Sequence, residues 1–277
     1  MTALAEPAVA PPLAPGAELA PGYTVVGHLS RNQALDVYEV FSAHRDCRCV
    51  AKVLRPDSRG NPRRRERLER EGALLQRFTH PHVVRAYETV HEPELVVVLE
   101  TLAGDRLDHL LRAGARRMPA FEVAELGVHL CSAVGYLHRE GWLHLDLKPG
   151  NIIVELGVAK LLDLSLAQPG PAHAGRARYG TRGYLSPEQV AGGTFTAATD
   201  VFGLGCVLYE AATRQCPGAG ADSAAGPGGA HMPPPIATLR RLPGGLGKVI
   251  DACLAADPAD RPSIAEIGRA CATVAQW

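Results

Sequence analysis

The sequence predicts an α+β fold in two parts, with strands first and helices after. Three observations predict it. Residues 23–29, 35–40 and 49–54 carry strand patterns rich in Val, Tyr and Leu, separated by polar segments. From Phe121 to His138, Val123, Leu126, Leu130, Val134 and Leu137 recur every three or four positions, the spacing of one helix face. Residues 200–212 are apolar on most sides and read as a buried helix. Ala103-Gly104-Asp105 breaks the pattern and sets the boundary between parts of about 22–102 and 103–277.

In chain order, residues 1–21 are Ala/Pro-rich, with five prolines before Gly22, and read as a disordered leader. After the three strands, residues 63–78 are charged with Leu68, Leu74 and Leu75 embedded, an exposed helix. Leu95-Val96-Val97-Val98-Leu99 is a buried strand within 94–100. The amphipathic helix ends near Gly141. Residues 152–154 and 158–162 form a hairpin pattern that places Asp163 just after a strand. Residues 216–235 are rich in Gly, Ala and Pro and read as a mobile loop. Helices follow at 249–254 and 264–274.

Composition bounds the function. The chain has 277 residues, 46% of them hydrophobic, with 29 basic and 29 acidic side chains. That length suits one domain of two lobes or two small domains. Zero net charge argues against nucleic acid or an anionic membrane as the main partner. No apolar run reaches the roughly 18 residues of a spanning helix, and no secretory signal opens the chain. Seven cysteines without framework spacing fit reduced thiols in the cytoplasm. Only Lys52, Lys148, Lys160 and Lys248 are lysines. Two of these fall where a compact point charge on a flexible stem is needed, and arginine does not replace it there.

The chemistry concentrates in His144-Leu145-Asp146-Leu147-Lys148-Pro149-Gly150-Asn151, with Asp163 twelve residues further on. A carboxylate, an ammonium and an amide share one short loop, and a second carboxylate follows. Phosphoryl transfer from a magnesium nucleotide uses such a set. The run resembles the protein-kinase catalytic loop H-R-D-x-K-x-x-N, and Asp163-Leu164-Ser165 takes the place of D-F-G. Val50-Ala51-Lys52 resembles the V-A-I-K strand. Gly180-Thr181-Arg182-Gly183-Tyr184-Leu185-Ser186-Pro187-Glu188 resembles the segment that closes a kinase activation loop. Asp257-Pro258 and Arg261-Pro262 resemble the family's last motif.

The resemblance runs from about residue 22 to the end. It implies a two-lobed kinase fold, with a five-stranded antiparallel sheet and one long helix in a small lobe, a mostly helical large lobe, and Mg-ATP in the cleft. It implies a serine/threonine rather than a tyrosine kinase, because Lys148 lies two residues after Asp146 and Thr181 lies downstream, and one of bacterial type, because Glu71 lies nine residues before His80-Pro81. Asp146 would accept or orient the substrate proton, and Lys148 would stabilise the transferring group. Asn151 and Asp163 would hold Mg2+. Lys52, fixed by Glu71 nine residues before His80, would position the ATP phosphates. Gly27, Leu29, Val37 and Ala51 would line the nucleotide. Leu99 would be the gatekeeper, and Glu100 to Leu102 the hinge whose backbone pairs with adenine. Asp200 would support the catalytic loop, and Arg261 would pair with Glu188. The partner is a protein bearing a Ser/Thr acceptor, with any upstream signal delivered by a separate regulatory partner.

Three departures are specific. With Val37 aligned on the valine of G-x-G-x-x-G-x-V, Ser30, Asn32 and Leu35 stand at the three glycine positions. Leu145 replaces the arginine of H-R-D, and Leu164-Ser165 replaces Phe-Gly. The missing glycines keep a second reading open, a pseudokinase that binds nucleotide or scaffolds without efficient transfer; a small-molecule kinase is a third. Leu145 cannot pair with a phosphorylated residue. Between Ser165 and Pro187 hydroxyl residues other than Tyr179 sit in the flanking motifs. Activity is therefore expected without activation-loop phosphorylation, with Arg176, Arg178 and Arg182 as the alternative phosphate partners. Other features have plainer readings. Cys47 and Cys49 are two thiols on one strand face. The arginines at 63, 64, 65, 67 and 70 form a solvated helix face interleaved with glutamates. His80 and His82 are structural, and His144 is a packed support for the loop.

Overall fold

The computed structural model of the chain describes residues 10–114, 116–173, 180–218 and 233–276. The chain forms two compact units. One comprises the residues up to Thr79 with Val84–Thr101; the other comprises His80–Val83 and the chain from Leu102 onward. The boundary falls one residue before the expected one, and His80–Val83 joins the second unit.

The first unit is an antiparallel sheet with one long helix. Its strands are β1 (Glu18–Ala20), β2 (Tyr23–Arg31), β3 (Leu35–Ser42), β4 (Cys47–Leu54), β5 (Ala86–Val90) and β6 (Val96–Glu100), in the order β1-β2-β3-β4-β6-β5. Period-two alternation gives the sheet one apolar face: Tyr23, Val25, Tyr38, Val40, Cys49, Ala51, Val53, Val96 and Val98 cluster with Leu19 and Ala20. α1 (Pro62–Arg77) follows β4, with Asn61 capping it and Pro62 at its first position. It buries Leu68, Glu71, Gly72, Leu74 and Leu75. A Cβ on Gly72 would lie 2.6 Å from Thr89 Oγ1 and 2.8 Å from Val97 Cγ2. The glycine lets the helix close on β5 and β6.

Two expectations are corrected here. The leader ends earlier than residue 21, because β1 pairs with β2, the Gly16 amide donates to Val25 O at 2.8 Å, and the Leu13 amide donates to the Tyr38 hydroxyl at 2.9 Å. Leu19 and Ala20 gain enough apolar burial to hold a three-residue strand that its sequence alone does not mark. The five expected strands are present, and β1 adds a sixth. Residues 1–9 lie outside the described residues.

The second unit runs through β7 (Asp105–Arg106), α2 (Leu107–Ala113), α3 (Ala120–Arg139), β8 (Trp142–Leu143), β9 (Ile152–Glu155), β10 (Val158–Leu161), β11 (Gln168–Pro169) and β12 (Ala172–His173). It continues through α4 (Pro187–Ala191), β13 (Thr194–Phe195), α5 (Ala197–Thr213), α6 (Ile236–Leu239), α7 (Leu246–Cys253) and α8 (Ile264–Ala275). α3 and α5 form its centre, and α8 packs on α3. α3 alone among the described helices has the length and hydropathy of a membrane span, but 61% of that stretch is buried inside the unit, as for a core helix. Capping boxes start α4 at Ser186, α5 at Thr196 and α8 at Ser263. Of the expected loop at 216–235, residues 219–232 lie outside the described residues.

Candidate active site

In the first unit, antiparallel register sets which side chains share a face. Val37 lies opposite Lys52, and Lys52 opposite Val97; Glu39 lies opposite Val50, and Val50 opposite Leu99; Gly27 lies opposite Glu39. Gly27, Val37, Val50, Lys52, Val97 and Leu99 therefore face one way, toward α1. Lys52 Nζ donates to Glu71 Oε1 at 2.5 Å, with the glutamate 1% exposed. Gly72, next to Glu71, is what brings the helix close enough for this pair. Leu29 sits in a bulge between His28 and Ser30 and is 56% exposed.

Ala51 is a correction. It is fully buried in the apolar cluster on the opposite face from Lys52, so it cannot line a nucleotide that Lys52 contacts. Val50, two positions before the lysine, shares its face, as period two requires. At the end of β6, where the hinge is expected, the Glu100 amide donates to Arg85 O and its carboxylate accepts from the Arg85 amide, both at 3.0 Å. The Glu100 N–H is thus already committed within the sheet. Leu102 begins the second unit.

In the second unit, the loop after β8 presents Asp146 at the centre of a polar cluster. Lys148 Nζ donates to Asp146 Oδ2 at 2.7 Å and to Thr181 Oγ1 at 2.5 Å. The Thr181 hydroxyl donates to Asp146 Oδ1 at 2.7 Å. Asn151 Nδ2 donates to Asp146 O at 2.9 Å and to Oδ2 at 3.0 Å. A 3-10 turn at Pro149–Asn151 turns the asparagine back onto the aspartate. The Leu162 amide donates to Asn151 O at 3.0 Å, tying the loop to the chain that leads into Asp163. Asp163 Oδ1 accepts from the Ser165 amide at 2.7 Å. Leu164, at the position of the phenylalanine in D-F-G, is fully buried.

The loop is supported from beneath. Asp200 Oδ2 accepts from the His144 amide and His138 Nε2, and Oδ1 from the Leu145 amide, each at 2.8 Å. Gln189 Nε2 donates to Leu145 O at 3.0 Å. His144 is 1% exposed, and its Nδ1 accepts from the Asp146 amide at 3.2 Å. Burial pushes its pKa down, so the neutral ring is the packed form. Arg261 forks onto Glu188 at 2.7 and 2.9 Å and stacks 5.0 Å over Phe202. Burial pushes the Glu188 carboxyl up, but the hydrogen bonds and charge of Arg261, the hydrogen bond from its own backbone amide and one from Thr199 together outweigh it, and the net shift is downward.

Several of these contacts are not legible as motifs. Gln189 and Gly72 carry no motif signal, although a glycine inside a helical pattern hints at close packing; Tyr184 falls in the Gly180–Glu188 motif, but its hydroxyl's partner, Glu210 at 2.6 Å, does not. Among the described residues, no three His, Cys, Asp or Glu side chains cluster as metal ligands. Cys47 and Cys49 lie 4.0 Å apart as free thiols. Arg176, Arg178 and Tyr179 lie outside the described residues.

Known proteins resemble this chain in sequence and fold. The protein kinase domain family matches residues 23–270. The serine/threonine-protein kinase PkaA of Streptomyces coelicolor is 32% identical over 223 residues, covering 76% of this chain and 40% of its own length. The serine/threonine-protein kinase PknB of Mycobacterium tuberculosis is 32% identical over 250 residues, covering 84% of this chain and 38% of its own length. The chain thus spans about two fifths of the length of these relatives. The crystal structure of the Mycobacterium tuberculosis PknI kinase domain superposes with a TM-score of 0.72 at 25% identity, over 95% of this chain and all of that one. The chain belongs to the protein kinase family, among the bacterial-type serine/threonine kinases.

Proposed function

We propose that this chain is an active kinase that uses ATP and magnesium to phosphorylate serine or threonine in a protein substrate. One observation carries the reading: both oxygens of Asp146 are oriented by Lys148, Thr181 and Asn151, while Lys52 and Glu71 are paired. A chain released from catalysis has no need to keep both sets.

Asp146 orients the substrate hydroxyl and takes its proton as the oxygen attacks the γ-phosphorus. The bond from that phosphorus to the β-γ bridging oxygen breaks, and ADP leaves. Lys148 lies against Asp146 and neutralises charge on the moving group. Lys52, fixed by Glu71, positions the α- and β-phosphates. Positioning and electrostatics supply most of the rate. The donor set suits magnesium: Asp163 offers a carboxylate, and Asn151 turns its Nδ2 to Asp146 and keeps Oδ1 for a hard cation. The ion, when bound, neutralises phosphate charge. Reduced cysteines support a cytoplasmic site of action.

Titration with ATP, with and without magnesium, followed by radiolabel transfer to a protein acceptor, tests the reading. A magnesium-dependent thermal shift and label on serine or threonine are expected. The pseudokinase reading draws on Ser30, Asn32 and Leu35 in place of glycines. It predicts binding without transfer.

A further inference from the structure

The tip of the β2–β3 hairpin holds no glycine, and its backbone is extensively tied down. Asn32 closes the tip on itself: its Oδ1 accepts from the Ala34 and Leu35 amides, both at 2.8 Å, and its amide donates to Leu35 O at 3.0 Å. This is a side chain doing the work of a turn. All three tip carbonyls are then taken up by Arg55, just after β4, and Arg64, in the first turn of α1. Asn32 O accepts from Arg55 Nη1 at 2.9 Å, Ala34 O from the Arg55 amide at 2.9 Å, and Gln33 O from Arg64 Nη1 at 3.1 Å. Arg55 is itself forked onto Asp57 at 3.0 and 2.8 Å.

The base of the hairpin is clamped as well. Asp36 is 2% exposed and lies on the Tyr38 face of β3. It accepts from Arg31 Nε at 2.7 Å, Arg31 Nη2 at 2.9 Å and His28 Nε2 at 3.0 Å. Arg31 Nη1 reaches on to Ala10 O at 2.9 Å. Burial raises the Asp36 carboxyl, but these hydrogen bonds outweigh it and the net shift is downward.

We propose that Asn32 and Asp36 are positioning residues that hold the β2–β3 hairpin as a pre-set cover for the ATP phosphates, in place of a loop moulded by glycines. The inference rests on the ATP-dependent reading above. Its physical basis is that a loop ordered before binding loses less conformational entropy when the ligand arrives. Because Arg55 and Arg64 tie the tip to the start of α1, the hairpin and the helix that carries Glu71 form one braced body. Neither residue touches the reacting atoms.

The test uses the full chain, Asn32→Gly and Asp36→Asn. The first variant changes an exposed tip and does not threaten the fold; the second removes the charge of the clamp. Amide exchange of residues 30–36 is followed without nucleotide, and KM for ATP is measured beside kcat. Exchange is expected to rise about fivefold in Asn32→Gly, the factor of one net hydrogen bond. KM for ATP is expected to rise by about the same factor, with the loss in KM rather than kcat. Ser30→Gly combined with Asn32→Gly is expected to bind ATP more weakly than wild type. Unchanged exchange overturns the brace. Faster exchange with unchanged KM, or tighter ATP binding by the glycine variants, overturns the positioning role. A wild type that does not bind ATP instead defeats the functional reading, and with it the positioning role, before any variant is made.

Discussion

The Leu145 amide donates to Asp200 Oδ1 at 2.8 Å while Leu145 holds a φ of +66°. A leucine in the left-handed region is unfavourable by about 1–2 kcal/mol, so the strained residue next to Asp146 persists because Asp200 and Gln189 hold both of its backbone groups. Asp200→Asn turns one acceptor into a donor facing buried N–H groups. A loss of about 2–3 kcal/mol is expected, with a lower kcat from a displaced Asp146. Urea unfolding and steady-state kinetics check both; unchanged stability would show that the loop is held by other contacts.

Asp146→Asn keeps the shape of the cluster around Lys148, Thr181 and Asn151. Normal folding and ATP binding are expected, with transfer reduced by roughly 10²–10⁴, the contribution of a positioned acid or base. Initial-rate assays and a thermal shift with ATP separate the two effects. Unchanged autophosphorylation would remove Asp146 from its assigned role.

Asp163→Asn removes the acidic member of the proposed metal pair. The thermal shift with ATP is expected to lose its magnesium dependence, because stabilisation by a ligand follows its affinity for the folded state. A variant that keeps the full magnesium-dependent shift would place the ion on other residues.

His129 makes stability depend on pH. It is 4% exposed on α3, stacks 4.2 Å from His82, and its Nδ1 accepts from the Ala159 amide on β10. Burial, and then the neighbouring His82, push its pKa from 6.5 down to about 4. The neutral ring is the folded form, so this contribution is fully present above the ordinary histidine value. It is lost as pH falls from there toward the folded value, by at most about 1.4 kcal/mol per pH unit. Urea midpoints of wild type should fall between pH 7 and 4.5 more steeply than those of His129→Asn. Parallel slopes would show that folding does not shift the ring's titration.

The residue groupings were legible where the expected chemistry needs particular residue types in a fixed order: Lys52 pairs with Glu71 in the first unit, and Asp146 clusters with Lys148 and Asn151 in the second. The long helices were legible, α1 and α3 within one residue at each end and α5 three residues short at its start. What escaped depends on tertiary context. β1 is three residues whose strand character comes from burying Leu19 and Ala20 on the sheet. Ala51 was misplaced because a motif gives the order of residues but not the face, which the pairing of Lys52 with Val37 and Val97 decides. Asp36 reads as an ordinary polar strand position until Arg31 and His28 are seen around it.

Activation-segment phosphorylation should not be needed for activity. Leu145 stands where an arginine would pair with a phosphate, and it packs instead with Leu143, Ala172 and Phe195 in a buried apolar cluster. β12 adds a ladder to β13, pairing Ala172 with Phe195 and His173 with Thr194. The start of the segment is thus held by apolar burial and backbone pairing, neither of which requires added charge. Its described hydroxyl groups are already engaged or buried: Thr181 with Asp146, Ser186 as the cap of α4, Tyr184 with Glu210, and Ser165 at 8% exposure. Phosphatase-treated and untreated protein should phosphorylate an added substrate at the same initial rate in assays too short for autophosphorylation. Leu145→Arg would place a cation in the apolar cluster, so lower stability and lower activity are expected rather than a gain in control. A large drop after phosphatase treatment, restored by preincubation with Mg-ATP, would show that another basic residue such as Arg182 has taken the arginine's role.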